Sequence, residues 1–220
     1  MSDSSQFQFE SGGSKIYLFG IVKGLVSEAE RLEKIVNKLD FQVGGIPISN
    51  EEMDGLEELM NNEGLDTEIE PSKPEKAYAD KLSEFGEVSL PPPSFTFFLK
   101  YCLENGIDAE AIDMDEEHYT MAYCDRVTGF QWIRQSIREK SLRGKDINAD
   151  SPVDFAKKWD RFINKLKGFQ ELEAYREEVM AKNIYRLSKR GDILVIIEEE
   201  RFEGVKEQLL KMEEESNKEE

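Results

Sequence analysis

The sequence predicts an α/β fold: one domain with a mainly parallel, four-stranded central sheet, helices on both faces, and helical additions. Three observations carry this. KIYLFG (15–20) and DILVIIEE (192–199) are short apolar runs without polar alternation, as in strands buried on both faces. Amphipathic stretches of helical period separate the apolar runs, as crossovers between parallel strands require. No segment repeats at a fixed period, so a solenoid or propeller is excluded.

The elements follow in order. Residues 1–13 are polar and read as a disordered lead, 14–210 as the domain, and 211–220 as an acidic tail at a fraying helix end. After the first strand, Ser27 and Glu30 form a capping-box pattern ahead of Leu32, Ile35, Val36 and Leu39, which share a helical face. FQVGGIPI (41–48) is the second strand. Ser49 and Glu52 repeat the capping box before Met53 and Leu56, and Pro71 and Pro74 precede another helix. Pro91, Pro92 and Pro93 place Ser94 to cap a helix that Gly106 ends. EAIDMD (110–115) is the third strand. One long helix is expected over 117–140, with Met121, Val127, Phe130, Ile133 and Ile137 inward. Ser151 and Pro152 start the next, another spans about 170–189, the fourth strand is 192–198, and a last helix starts near 203.

Composition narrows the function classes. The chain is 39 % hydrophobic and 35 % charged, with a net charge of −18. Residues 51–75 and 104–118 account for −16 of this, whereas 126–190 carry sixteen Lys and Arg against nine Asp and Glu. The acidic balance repels polyphosphate and argues against nucleic acid as a partner. The basic stretch either lies against the chain's own acidic segments or meets a local anionic partner, and the acidic run at 51–70 is a solvated face or a docking surface. No apolar run approaches the roughly 20 residues of a membrane span, and the start lacks the pattern of a secretory signal. Cys102 and Cys124 read as reduced core thiols, so a cytoplasmic location is expected.

No complete catalytic or metal motif is present. FGIVKG and VGG are not phosphate-cradling loops, and GKD (144–146) lacks the strand and spacing of a P-loop. His118, the only histidine, sits in D-x-D-x-x-H (113–118), a spacing that matches no common zinc pattern. Trp132, Trp159 and Phe162 lie among basic residues but read as core on amphipathic helices rather than as base-stacking platforms.

Several segments resemble the TraB or pheromone-shutdown family, part of a wider group with TIKI-type and ChaN-like proteins. The most specific is 174–205, where Arg176, Met180, Ala181 and Ile184 fit an R-x-x-x-M-A-x-x-I helix and Ile193–Ile197 fit the following strand. The family's glycine-x-x-histidine turn is altered: Glu198 stands at the glycine and Arg201 at the histidine. IYLFGIVKG (16–24) resembles the strand with G-x-x-H, with Lys23 at the histidine. Ile46 or Pro47 stands where a glutamate is usual, while IDMD (112–115) keeps both aspartates. The resemblance implies the fold of a metal-dependent hydrolase or protease. A protonated lysine or arginine is not a metal ligand, and two cations would repel the ion, so no metal and no cofactor are expected.

Lys23, Asp113, Asp115, Glu198 and Arg201 all fall at predicted carboxyl ends of strands, where α/β folds place ligands. Lys23 and Arg201 either pair with Asp113 or Glu198, bind a small anion, or face solvent. Two functions follow. One is a non-catalytic, pseudoenzyme-like interaction or regulatory module with a protein partner or as a homo-oligomer. The other is a metal-independent hydrolase of a small anionic or peptide-like substrate using those charged residues.

Overall fold

The computed structural model describes residues 5–61, 72–139 and 147–219. Its sheet has five strands in the order β1-β2-β5-β3-β4: β1 (Gln6–Ser11), β2 (Ser14–Ile21), β3 (Val43–Ile46), β4 (Asp108–Ala111) and β5 (Ile193–Glu198). The last four are parallel, and β1 is antiparallel to β2. β2, β3 and β5 lie at the expected places, whereas β4 is shifted toward the N-terminus and shares only Glu110 and Ala111 with the predicted 110–115. The fifth strand corrects the four-stranded expectation, because residues 6–11 are not a disordered lead. Gly12 and Gly13 both have positive φ, 55° and 83°, as a two-residue hairpin turn with the strand twist demands. Phe7 and Phe9 on alternate positions of β1 then pack on the core.

Each buried strand alternates between two cores. Phe19 and Ile21 of β2, with Leu194 and Ile196 of β5, meet α1 (Val26–Val36), α2 (Asn50–Asn61) and α4 (Pro93–Asn105). Ile16, Leu18, Ile193, Val195 and Ile197 meet α8 (Lys167–Ser188) and α9 (Phe202–Glu219). In β3, a Cβ on Gly44 would approach Cys102 Sγ to 2.7 Å, so glycine lets α4 lie close to the sheet. A third cluster joins α3 (Lys73–Leu82) to α7 (Pro152–Ile163) through Ala77, Leu82, Phe155 and Trp159, beside Val22 and Leu25, which follow β2.

Several local expectations are corrected. The α1 helix starts after Leu25 with no side-chain cap, two residues ahead of the Ser27 pattern. Ser94 lies inside α4, because Pro93 already occupies its first position. The Ser49–Glu52 box forms in both directions, at 2.9 and 3.1 Å, and Gly106 ends α4 at φ 67°. The acidic tail continues α9 to Glu219. Residues 62–70 of the acidic run, and GKD, lie outside the described residues.

The expected helix over 117–140 is two, α5 (Glu116–Arg126) and α6 (Gly129–Glu139), broken where Val127 turns extended at φ −98°, ψ 109°. The α6 helix is also turned opposite to expectation. Gln135 faces inward, 4 % exposed, while Phe130, Trp132 and Ile137 are 69 %, 56 % and 63 % exposed. Ile133 and Met121 are likewise exposed, and of the five predicted core positions only Val127 is buried. Cys102 is buried as predicted, its thiol pushed up to about 12 by burial, whereas Cys124 is exposed. Replacing Ile133 with serine is therefore expected to change unfolding free energy by no more than about 0.5 kcal/mol. A urea melt that loses several times that would place Ile133 in a core.

Candidate functional site

The carboxyl ends of β2 and β5 are adjacent, and the residues following them carry the charge. Gly24, at φ 96°, turns the chain after Lys23. Lys23 Nζ lies 3.3 Å from Glu198 Oε1, which raises the ammonium's pKa against the opposing effect of burial, and sits 5.7 Å from the centre of the Phe95 ring. This pairing is one of the two expected for Lys23.

Arg201 is 5 % exposed and held by three carboxylates: Asp160 of α7, Glu177 of α8 at 3.1 Å, and Glu173 of α8 at 3.4 Å. Glu173 and Glu177 are one helical turn apart, so both reach the same guanidinium. Burial lowers Arg201's pKa to about 10, which leaves it charged at neutral pH. Neither expected partner, Asp113 or Glu198, is in salt-bridge contact with it. Asp113 instead receives Arg176, which also donates to Glu173 at 2.9 Å. Asp115 stands apart from this network: it caps α5, accepting from the His118 backbone N–H at 2.7 Å. His118 Nε2 lies 2.9 Å from the Tyr175 hydroxyl. Among the described residues no group of three or more His, Cys, Asp or Glu side chains converges as a metal site would require.

Sequence reasoning missed Asp160, Glu173, Glu177, Glu199 and Glu200. Glu198 ends the aliphatic strand and the chain turns at once through Glu199 and Glu200, which sends the carboxylates to different sides. Glu199 turns away from the Lys23 side: it meets Lys157 at 3.3 Å and accepts from the Ser5 backbone N–H at 2.6 Å. A Cβ on Gly20 would come within 2.6 Å of Glu199 Oε1, so this glycine makes room for the carboxylate. Glu200 has no such partner for Oε2, and burial, then the charge of Glu198, push its carboxyl up to about 8. Burial and the neighbouring Glu173 push Glu177 up to about 7.

Several of these groups, though not Glu177 or Glu199, border a cavity of about 450 Å³. Lys23, Glu198, Glu200 and Arg201 line it from the strand ends, Tyr78 from α3, Trp159 and Asp160 from α7, and Glu173 and Arg176 from α8. Six carboxylates (Glu75, Glu139, Asp160, Glu173, Glu198, Glu200) line it against three cations. Each of the three cations contacts at least one carboxylate, so the arrangement is poorly suited to an anion and short of positive charge.

No family model matches this chain, and neither does any curated protein.

Proposed function

We propose that this chain is a non-catalytic relative of the TraB-like proteins, acting in the cytoplasm as an interaction or regulatory module. The observation that carries the reading is the pairing of Lys23 and Arg201, the residues standing at the two histidine positions of the resemblance. Both are bound to carboxylates rather than free to act. A hydrolase that activates water on a metal needs neutral donors with an open coordination position. Here most of the carboxylates within reach are already engaged with guanidinium or ammonium groups, Glu200 excepted. The protein purified from metal-supplemented medium is therefore expected to carry no stoichiometric zinc, iron or manganese by elemental analysis. One tightly held ion per chain, lost in Asp113→Ala, would overturn the reading.

One observation favours a second reading, a metal-independent hydrolase. A carboxyl with a pKa of about 8 holds a proton at neutral pH and could serve as a general acid. Turnover of an ester or peptide substrate that disappears in Glu200→Gln, with the fold retained, would select it.

A further inference from the structure

We propose that the cavity over the strand ends is a binding site for a small organic cation, a primary alkylammonium whose N–H groups meet Glu200 and Gln135. This builds on the module reading by naming the ligand of the same site. Three independent features of the cavity lead there.

The first is unused hydrogen-bonding capacity. Gln135 is 4 % exposed, its amide nitrogen donates to Glu139 at 3.4 Å, and its Oε1 is buried without a partner. Glu200 Oε2 and the Tyr78 hydroxyl are buried and unpartnered as well. All three residues line the one cavity. The Gln135 amide oxygen only accepts hydrogen bonds, and so does Glu200 once it is ionised, so a cationic donor is the complement that satisfies both. Buried polar atoms in native proteins are almost always satisfied, and each unmet acceptor costs free energy that a donor-bearing ligand would recover.

The second feature is charge. Carboxylates outnumber cations around the cavity, and the cations are already held in ion pairs. Glu200 faces Glu198, Glu199 and Lys23; burial first, and then the charge of Glu198, raise its pKa, and Lys23 only partly opposes them. An added ammonium would restore the balance and ionise Glu200 as it binds.

The third feature is the wall. Tyr119, Trp159, Phe169 and the ring of Tyr78 line the same space. Tyr78 and Trp159 meet edge to face with centroids 5.7 Å apart. Aromatic rings beside carboxylates are the surroundings in which organic cations bind, through ring quadrupoles and desolvated ion pairing together. A cavity of this volume suits a small molecule rather than a bare ion. Because Gln135 Oε1 and ionised Glu200 are acceptors and the Tyr78 hydroxyl can also accept, a primary ammonium with three N–H donors fits better than a quaternary one.

Isothermal titration of the full chain at pH 7.5 with butylammonium, its carboxylate isostere butyrate, and tetramethylammonium tests the assignment. Butylammonium is expected to bind with one site per chain and to bind more tightly than tetramethylammonium, while butyrate gives no saturable heat. Glu200→Gln and Gln135→Leu are each expected to weaken butylammonium about tenfold, as losing one charge-assisted or buried hydrogen bond predicts. No saturable heat with butylammonium, tighter binding of butyrate, or unchanged affinity in both variants would overturn the site. If Glu200→Gln does not fold by circular dichroism, Gln135→Leu and the three-ligand comparison on the unaltered chain decide the matter. Failure here leaves the pairing of Lys23 and Arg201 untouched, since metal content and the stability of Arg201 variants test that separately.

Discussion

Arg201→Met is expected to lower the unfolding free energy by about 3–5 kcal/mol at pH 7. The guanidinium is the shared partner of Asp160, Glu173 and Glu177, from two different helices, and its side chain is almost wholly buried. Methionine keeps much of the volume and removes the charge, so the packing loss is small. The penalty comes from carboxylates left facing one another without compensation. Two further variants separate this from simple loss of contact. Arg201→Lys should fall between the parent and Arg201→Met, because an ammonium cannot present the planar fork that reaches three partners. Arg201→Met combined with Glu177→Gln should recover part of the loss, because the second change removes one of the stranded charges. Lys23→Met, by contrast, should cost about 1 kcal/mol or less, since Lys23 is 38 % exposed and solvent screens its pair. Guanidinium melts of the four variants are the measurement. If Arg201→Met costs no more than Lys23→Met, the buried network is not what holds α7 and α8 to the strand end.

The contrast between these two cations also marks how far the sequence could be read. Lys23 with Glu198 was legible because both sit at the carboxyl ends of adjacent parallel strands, and strand order brings such ends together. The carboxylates around Arg201 were not, because they come from helices 24 to 41 residues earlier whose packing no local pattern encodes. Asp113 was placed at the right strand end but given the wrong partner, since Arg176 reaches it from α8. β2 and β5 were legible from their aliphatic runs, Ile193–Ile197 most clearly, whereas β4, with the sequence Asp-Ala-Glu-Ala, has no such run and was placed too late. β1 was overlooked because its Gln-Phe-Gln-Phe alternation is half polar, the pattern of an edge strand with one solvated face. For α6, periodicity identified the helix and its apolar stripe but could not say which way the stripe points. The break before it was signalled by Thr128–Gly129, a pair that favours helix starts over helix interiors.

Between pH 5 and 8 the protein is expected to lose stability as the pH rises, and Glu200→Gln should remove much of that slope. Glu200 and Glu177 titrate at about 8 and about 7 in the fold, against an ordinary value of 4.5, and burial likewise raises Glu28 and Glu173. A carboxyl whose pKa is raised by folding binds its proton more tightly in the native state. The unfolded chain therefore holds fewer protons through this window, and the slope of unfolding free energy against pH is negative. The contribution is fully present below the ordinary carboxylate value and is lost as pH climbs through the folded one. Helix-capping carboxylates such as Glu75, whose pKa is lowered, act in the opposite sense, but only below their ordinary range. A tenfold gain in proton affinity on folding corresponds to about 1.4 kcal/mol, so Glu200 alone supplies a loss on the order of 3 kcal/mol once some water entry is allowed for. General repulsion in a chain of net charge −18 adds to the decline in both proteins and cancels in their difference. Glutamine imitates the protonated acid, so the variant should match the parent within about 0.5 kcal/mol at pH 5 and exceed it by on the order of 2 kcal/mol at pH 9. Urea melts at four or more pH values read this directly. Parallel curves for the two proteins would mean that Glu200 ionises freely, with its charge compensated by groups other than Lys23.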